Sequence, residues 1–324
     1  MIPQFFHGDE AYDFLSTQIV TSFFLDLSCR QFCSGGGQLG RMLAASASLL
    51  NVRVVILDRG ENSPAKQVVA PSESNLAHLD GSFTDPEKIR ELAKKVDVLT
   101  VEIEHVDAPT LERLLSASNE RNLVVHPSPS TIETIQDKYR QKKHLMSRSL
   151  PVAESIELES TVESIQGATE MLGLPLMLKS RTLAYDGRGN FVLRSLEDVH
   201  QAIDFLGKRP IYAEKWVPFT KEIAVMVVRT ESGDVESYPV VETVHKDNIC
   251  HLVFAPLRTR DPSIIQAAKN VAESAVKSFT GAGIFGVEMF LLEDGRHFFY
   301  KIPSIGLTKI DRPHLNKRNC TSTA

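Results

Sequence analysis

The feature that most limits the fold is a regular alternation of strand-like and helix-like segments between residues 34 and 130. A glycine run, Gly35 to Gly37, opens a helical pattern, and the apolar segment RVVILD follows it. Further along, VDVLTVEI and LVVHPS have the composition of buried strands, with helical segments between them. Strands that alternate with helices predict a parallel sheet covered on both faces. We therefore expect an α/β domain in this part of the chain.

The chain changes character after residue 130. Helical patterns cover residues 132–147 and 161–172, and the strand LPLMLKS follows the second of them. The segments IYAEKWVPF and KEIAVMVVRT predict two strands around a bend at Pro218. An amphipathic pattern over residues 261–280 predicts a long helix before the strand GIFGVEMFLL. Short polar turns between these strands favour an antiparallel sheet, so we expect an α+β arrangement.

Composition restricts the class of protein. A length of 324 residues allows two or three domains. The net charge of −5 and the pI near 6.1 argue against nucleic acid as a partner, but they allow a phosphorylated small molecule. The four cysteines are too scattered for a disulfide framework, which predicts a reducing compartment such as the cytoplasm. No run of apolar residues is long enough for a transmembrane helix, so we expect no membrane partner.

The loop KSRTLAYDGRGN raises two alternatives. Asp186-Gly187 between apolar segments is a strong signal for a simple β-turn. The same loop also begins at Lys179 and contains Arg188 beside two glycines. Cations at both ends of a glycine-rich segment fit a cover over phosphate groups. Local sequence does not separate these two interpretations.

The segment GGGQLG also has two interpretations. Glycines at the start of a helix allow phosphate to approach the backbone amides, but a purely structural turn explains them as well. The spacing departs from the dinucleotide fingerprint, and Asp58 is the one acid in a suitable place after the next strand. The segment before the glycines, RQFCS, is short and polar, so it is a poor candidate for the strand that a βαβ unit requires.

Four further polar residues are candidates for chemistry. Glu214 lies at a strand end before the proline bend, where exposed backbone could pair with a purine edge, and Glu222 could accept hydrogen bonds from ribose. An ordinary amphipathic strand pair with solvated charges explains both residues equally well. Glu288 interrupts the apolar strand GVEMF and could bind Mg2+, or it could simply alternate out to solvent. His245 follows the segment VVETV, and an exposed turn histidine is the simpler interpretation.

Taken together, eight ordered segments resemble the 5-(carboxyamino)imidazole ribonucleotide synthetase family of ATP-grasp ligases, in particular the N-terminal part of fungal phosphoribosylaminoimidazole carboxylase. The segments are GGGQLGRM, ENSPAKQV, LDGSFTD, VEIEHVD, QDKYRQK, LKSRTLAYDGRGN, AEKWVPFTKE and GAGIFGVEMFLLEDG. The resemblance implies a pre-ATP-grasp parallel-sheet domain followed by an ATP-grasp domain of two α+β subdomains. It also implies ATP and Mg2+ as cofactors, aminoimidazole ribonucleotide and bicarbonate as substrates, purine biosynthesis as the process, and a homodimer.

The resemblance carries over to a nucleotide site. Lys138 and Lys179 match two cationic positions that contact ATP phosphates, and residues 184–190 match the glycine-rich loop. The segment 214–217 matches the hinge that pairs with adenine. The implied nucleotide-binding residues are Lys138, Lys179, Ala184, Tyr185, Asp186, Gly187, Arg188, Gly189, Asn190, Glu214, Lys215, Trp216, Val217, Glu222 and His245.

The resemblance further implies roles in catalysis, substrate binding and metal binding. Lys179 and Arg188 match catalytic positions, and Tyr185, Asp186 and Arg188 match positions that face the substrates. Glu288 matches one Mg2+ ligand.

Both ends of the chain depart from the family pattern. Tyr300-Lys301-Ile302 stands where the family has Asn-Glu-Ile, so a lysine replaces a metal-binding carboxylate, and the substrate-binding segment beyond it is missing. A cation there should weaken Mg2+ binding. We expect the two ends to come from a truncated, mis-spliced or mispredicted coding sequence. The predicted units are an atypical segment 1–33, a pre-ATP-grasp domain 34–130, a small subdomain 131–208, an incomplete large subdomain 209–296 and a tail 297–324.

Three other functions remain as alternatives. A catalytically impaired, ATP-binding remnant of the enzyme would keep the hinge and the glycine-rich loop but lack the second metal carboxylate at position 301. An ATP-grasp carboxylase with another acceptor is less consistent with the ENSPA and YDGRG segments. A dinucleotide-dependent dehydrogenase would explain GGGQLG, but it would leave Glu288 and the hinge segment unexplained.

Overall fold

A computed structural model gives the fold. It describes residues 30–69, 77–117, 123–183, 189–246, 249–294 and 298–301. The first unit is a five-stranded parallel sheet in the order β3-β2-β1-β4-β5, which confirms the predicted α/β domain. Its strands are β1 (Arg30–Ser34), β2 (Arg53–Asp58), β3 (Leu79–Asp80), β4 (Val98–Val101) and β5 (Val124–His126). Its helices are α1 (Gln38–Leu49), α2 (Pro86–Ala93) and α3 (Ala108–Ala117).

The central strand of this sheet corrects one expectation. The sequence RQFCS was a poor strand candidate and fell largely within the predicted atypical segment 1–33. It nevertheless forms β1, which pairs with β2 on one side and with β4 on the other. Pairing on both edges outweighs weak local propensity, because strand preference depends strongly on context.

A four-stranded antiparallel sheet follows, in the order β6-β9-β7-β8. The strand β9 lies beyond residue 208, so this sheet continues past the predicted end of the small subdomain. The predicted helix 161–172 is confirmed, with Thr161 capping its start and Gly173 its end. The strands are β6 (Ser155–Leu158), β7 (Leu176–Ser180), β8 (Asn190–Leu193) and β9 (Ile211–Lys215). The helices are α6 (Val162–Leu172) and α7 (Val199–Leu206).

The third sheet has six strands. Its order is β13-β12-β10-β14-β15, with β11 on β10, and every pairing in it is antiparallel. The two strands predicted around Pro218 both form, but β9 and β10 belong to different sheets. The strands are β10 (Phe219–Arg229), β11 (Val235–Ser237), β12 (Val241–Lys246), β13 (Ile249–Phe254), β14 (Gly283–Leu292) and β15 (Phe298–Lys301), and α8 (Pro262–Lys277) packs on them.

The single helix predicted over residues 132–147 is wrong. The chain forms α4 (Pro129–Gln136) and α5 (Lys138–Met146), with a break at Asp137. Asp137 has an extended backbone, and its carboxylate accepts hydrogen bonds from the amides of Tyr139 and Arg140, both at 3.0 Å. This cap satisfies amide groups that begin a new helix. The break therefore starts a second helix at Lys138.

The first unit packs tightly on the third sheet. The buried core runs continuously from Leu57 on β2 to Val287 on β14. At the junction, Gly281 has φ +80°, and a Cβ there would lie 2.4 Å from the Ser128 amide nitrogen. Glycine is the residue that tolerates both this backbone conformation and this approach. Among the helices that the structure describes, none combines the length and apolar character of a membrane span.

Candidate functional site

Three buried charged side chains meet where α5 faces β7 and β9. The ammonium nitrogen Nζ of Lys142 lies 2.8 Å from Oε1 of Glu214, and Nζ of Lys179 lies 2.6 Å from Oε2. The Tyr212 hydroxyl donates a hydrogen bond to Oε1 at 3.2 Å. We call Lys142, Lys179 and Glu214 the lysine–glutamate cluster. Two positive charges share one negative charge, so the cluster carries a net positive charge.

The cluster keeps its carboxylate ionised. Burial by itself would raise the pKa of Glu214, but the charges and hydrogen bonds of Lys142 and Lys179 outweigh burial and lower the pKa to about 2. Burial also raises the pKa of Tyr212 well above its ordinary value, with the Glu214 charge adding to the effect. Tyr212 therefore remains a neutral hydrogen-bond donor to an anionic carboxylate.

Local structure explains how the three side chains come together. Lys179 and Glu214 lie on β7 and β9, which pair antiparallel with Met177 opposite Glu214 and Lys179 opposite Tyr212. Alternation places Lys179 and Glu214 on the same face of the sheet. Arg181, just beyond β7, forms a bidentate ion pair with Asp137 at the start of α5. This contact holds the helix of Lys142 against the end of β7.

A second group of polar residues lies on the six-stranded sheet. Nδ1 of His245 on β12 is 2.9 Å from Oε2 of Glu222 on β10. Glu288 on β14 is buried and lies opposite Ala224 in the register. Side-chain alternation places Glu222, His245 and Glu288 on one face of the sheet. His245 thus belongs to a strand and has a carboxylate partner, unlike the exposed turn histidine of the simpler interpretation.

The described residues offer little for a metal ion beyond Glu288. No group of three or more His, Cys, Asp or Glu side chains in that part of the chain could hold a metal. The backbone of Lys301 on β15 pairs directly with that of Glu288. The position that the family resemblance assigns to a second metal carboxylate therefore lies next to Glu288 on the neighbouring strand.

Other predicted site residues fall in different places. Lys138 begins α5, and its amide donates a hydrogen bond to the Arg181 carbonyl at 2.8 Å. The backbone carbonyl of Gly189, where φ is +87°, accepts a hydrogen bond from Ser180 at 2.7 Å, and Asn190 begins β8 opposite Lys179. Lys215 ends β9, and Trp216 and Val217 lie in the connection from β9 to β10. Five predicted residues lie outside the described part of the chain: Ala184, Tyr185, Asp186, Gly187 and Arg188.

Sequence reasoning missed Lys142 and Tyr212. Both lie in quoted segments, QDKYRQK and IYAEKW, but neither was singled out. The available signal for Lys142 was its spacing from Lys138, since residues four apart share one face of a helix. That signal was hidden because the helix was predicted to begin before Asp137. Tyr212 lies two residues before Glu214, on the same strand face.

The glycine turn is engaged by the protein's own carboxylates. The Gly36 amide donates to Oδ2 of Asp58 at 2.8 Å, and the Gly37 amide donates to Oε2 of Glu102 at 3.1 Å. Burial raises the pKa of Glu102, although hydrogen bonds from the amides of Gly40 and Gly37 oppose the shift. Asp58, the acid considered for a dinucleotide ribose, is instead bonded to the turn.

Comparisons with known proteins agree with this architecture. Residues 33–136 match the ribonucleotide synthetase pre-ATP-grasp domain family, and residues 143–302 match the ATP-grasp domain family. The phosphoribosylaminoimidazole carboxylases of Ogataea methanolica and Saccharomyces cerevisiae are 54% and 56% identical to this chain over 81% of its length. Those alignments cover 47% and 44% of the two relatives, so the chain spans about half their length.

Solved structures give the same result. The carboxyaminoimidazole ribonucleotide synthase of Aspergillus clavatus complexed with ATP is 47% identical, with a TM-score of 0.80 over 87% of this chain and 71% of that chain. The structure of the Aspergillus clavatus synthase with ADP and 5-aminoimidazole ribonucleotide is 46% identical, with a TM-score of 0.78 over 86% of this chain and 70% of that chain.

Proposed function

The chain belongs to the N5-carboxyaminoimidazole ribonucleotide synthase family of ATP-grasp proteins, and we propose that it carboxylates aminoimidazole ribonucleotide with ATP and bicarbonate. The relatives crystallised with ATP, or with ADP and 5-aminoimidazole ribonucleotide, support this choice of substrates. Family membership excludes the dinucleotide-dependent dehydrogenase considered above. The reaction would belong to purine biosynthesis.

The lysine–glutamate cluster is the observation that carries the proposal. Its net positive charge is buried, and burial strengthens the attraction between such a charge and the anionic phosphates of a nucleotide. Glu214 is the next-to-last residue of β9, and residues 216–218 connect this strand to β10 in the other sheet of the ATP-grasp region. The cluster therefore lies beside the segment proposed to pair with adenine, and the carboxylates on β10 and β14 follow on the other side of that connection.

The proposed chemistry has two steps. A bicarbonate oxygen attacks the γ-phosphorus of ATP, which releases ADP and forms carboxyphosphate. The exocyclic amine of aminoimidazole ribonucleotide then attacks the carboxyl carbon, loses a proton and displaces phosphate. Lys179 would stabilise the negative charge on the transferring phosphoryl group, because positioned cations are the main catalytic device in phosphoryl transfer.

Glu222, which lies beside His245, would accept hydrogen bonds from ribose. Contacts of Tyr185, Asp186 and Arg188 with the substrates remain predictions.

Mg2+ fits this site through one protein carboxylate. Mg2+ is commonly bound by one or two carboxylates together with substrate phosphates, and the buried carboxylate of Glu288 meets the lower limit of that requirement. The ion would neutralise phosphate charge when it binds with ATP. Because Lys301 pairs with Glu288 in the register, we propose that Mg2+ binds more weakly here than in relatives with a glutamate at that position.

A second candidate function is an ATP-binding protein with impaired catalysis. The Lys301 position next to Glu288 is the observation that favours it, because the chain lacks the predicted second metal carboxylate. This candidate keeps nucleotide binding and loses turnover. A carboxylase for another amine is a third candidate and differs from the first only in its acceptor.

Turnover and binding measured together separate these candidates. The purified chain would be assayed for ADP formation with ATP, Mg2+, bicarbonate and aminoimidazole ribonucleotide, with each substrate omitted in turn. We expect ADP formation that requires both bicarbonate and the ribonucleotide. We also expect Lys179→Met to lower it at least about 100-fold, while the exposed neighbour variant Lys143→Met changes it little. Nucleotide binding without turnover would reject the enzyme in favour of the second candidate.

The proposal also includes the cellular location and the oligomeric state. We place the protein in the cytoplasm as a homodimer, in line with the expectation from its cysteine pattern and its family resemblance. Analytical ultracentrifugation of the purified chain would test the dimer, and a single monomeric species at micromolar concentration would contradict it.

A further inference from the structure

Lys142 lies at the centre of an arrangement that the proposed reaction does not yet use. Its ammonium group is buried and contacts the same carboxylate as Lys179, but through the other oxygen atom. Without Lys142, the remaining Lys179 and Glu214 would form a neutral pair. With Lys142, the same carboxylate is shared, and the cluster has one more positive than negative charge.

Among the residues that the structure describes, the groups around the cluster do not cancel this charge. Tyr212 is neutral, and its hydroxyl donates to the carboxylate. Asp137, at the start of the same helix, is already bound in a bidentate ion pair with Arg181. The neighbouring Lys143 is exposed, and its ammonium group lies 5.8 Å from the centre of the Tyr139 ring rather than on Glu214, so it serves as a matched control.

We propose that Lys142 is a positioning residue that determines the affinity for nucleotide phosphates by sharing Glu214 with Lys179. Because Lys142 shares the carboxylate, Glu214 does not fully neutralise Lys179, and the ammonium group of Lys179 can attract a polyphosphate. This inference rests on the proposed nucleotide site, and the ligand class is a nucleoside di- or triphosphate. The proposed adenine contact is the backbone of residues 214–217 and the proposed ribose contact is Glu222, so the charge of Lys142 acts on the phosphates.

The test compares ADP with adenosine, which lacks phosphates, by isothermal titration calorimetry. The ratio of the two dissociation constants isolates the phosphate contribution. Lys142→Met removes the extra charge, and we expect ADP affinity to fall about tenfold or more while adenosine affinity is unchanged. Lys143→Met and the conservative Lys142→Arg should both keep the wild-type ratio. An unchanged ratio in a folded Lys142→Met variant would overturn the inference.

A double variant separates charge from structure. Lys142→Met combined with Glu214→Gln leaves Lys179 as the one charge of the cluster, which restores the net charge of the wild type. We expect it to recover most of the wild-type ratio, whereas a purely structural role of Lys142 predicts no recovery. The comparison with wild type also holds if Lys142→Met alone does not fold, which thermal unfolding would reveal. If wild-type protein binds neither ligand, the proposed function fails and not the role of Lys142.

Discussion

The first turn of α1 and the lysine–glutamate cluster differ in the sign of their net charge. At the helix start, backbone amides of a glycine turn donate to the carboxylates of Asp58 and Glu102. In the cluster, two ammonium groups share the single carboxylate of Glu214. The first region therefore holds excess negative charge, and the second holds excess positive charge. A glycine-rich helix start is therefore not by itself a phosphate site, because side chains of the same protein can satisfy its amides.

The largest expected effect comes from removing the shared carboxylate. Glu214→Gln would leave two buried ammonium groups without their counterion, and breaking a buried ion pair in this way costs about 3–5 kcal/mol of unfolding free energy. Urea unfolding of the two proteins would measure the loss. The control is Glu154→Gln, whose partner Lys215 lies 3.2 Å away on the surface, and it should cost at most about 1 kcal/mol. Similar losses in both variants would refute the special role of the cluster.

Opposite responses to acid should distinguish the two regions. The lowered pKa of Glu214 means that its stabilisation is complete above its unfolded value of 4.5 and is lost as the pH falls toward about 2. That contribution amounts to about 3 kcal/mol. Burial raises the pKa of Glu102, so as the pH falls this carboxylate takes up a proton in the folded state before it does so in the unfolded state. Acidification from neutral pH toward 4.5 therefore stabilises the folded state through Glu102.

Urea unfolding at a series of pH values would test these responses in wild type, Glu214→Gln and Glu102→Gln. As the pH falls below 4.5, the stability difference between wild type and Glu214→Gln should shift against the wild type. From neutral pH down to 4.5, the difference between wild type and Glu102→Gln should shift in favour of the wild type. If both differences move in the same direction, the contrast between the two regions is wrong.

A smaller effect on stability is expected from adding a side chain inside the glycine turn. A Cβ on Gly40 would lie 2.3 Å from the Gly35 carbonyl oxygen, so Gly40→Ala forces backbone apart and should cost about 2 kcal/mol. Gly167→Ala on α6 is the matched control, because nothing lies within 4 Å of its added Cβ. That change should stabilise the protein by about 0.5–1 kcal/mol. Thermal unfolding shifts of the same sign in both variants would contradict the close packing of the turn.

The smallest expected effect concerns ligand binding. If ADP phosphates bind at the cluster and not at the glycine turn, Glu102→Gln should leave the dissociation constant for ADP within about twofold of the wild-type value. If the phosphates bound at the glycine turn, removing the Glu102 charge would instead strengthen ADP binding, since a nearby like charge opposes anion binding. A large gain in ADP affinity in this variant would move the phosphates to the start of α1.

Much of the fold could be predicted because its signals are local. The parallel domain followed from alternating apolar segments, and the helix from Val162 to Leu172 followed from its periodicity and its Thr161 and Gly173 caps. The ATP-grasp assignment followed from ordered motifs and is confirmed by the comparisons. The strand β1 was missed because its polar sequence is stabilised by two neighbouring strands rather than by its own propensity.

The candidate site was predicted in part. Lys179 and Glu214 were named separately, and Glu222 and His245 were each assigned to the nucleotide, but none of these contacts was foreseen. Lys142 was overlooked because Asp137 divides the predicted helix, and Lys142 in the second half contacts Glu214 on β9. No pattern in a single segment reports such a contact, since Lys179 and Glu214 are 35 residues apart in the chain.

Short segments of sequence are enough to predict most of the elements, the family and the residue types available for chemistry, because propensity, periodicity and motifs are local properties. Which charges share a partner follows only from the tertiary structure. Burial brings Lys142, Lys179 and Glu214 within hydrogen-bonding distance, and it places the amides of the glycine turn against Asp58 and Glu102. The sign of the charge at each place depends on these long-range contacts.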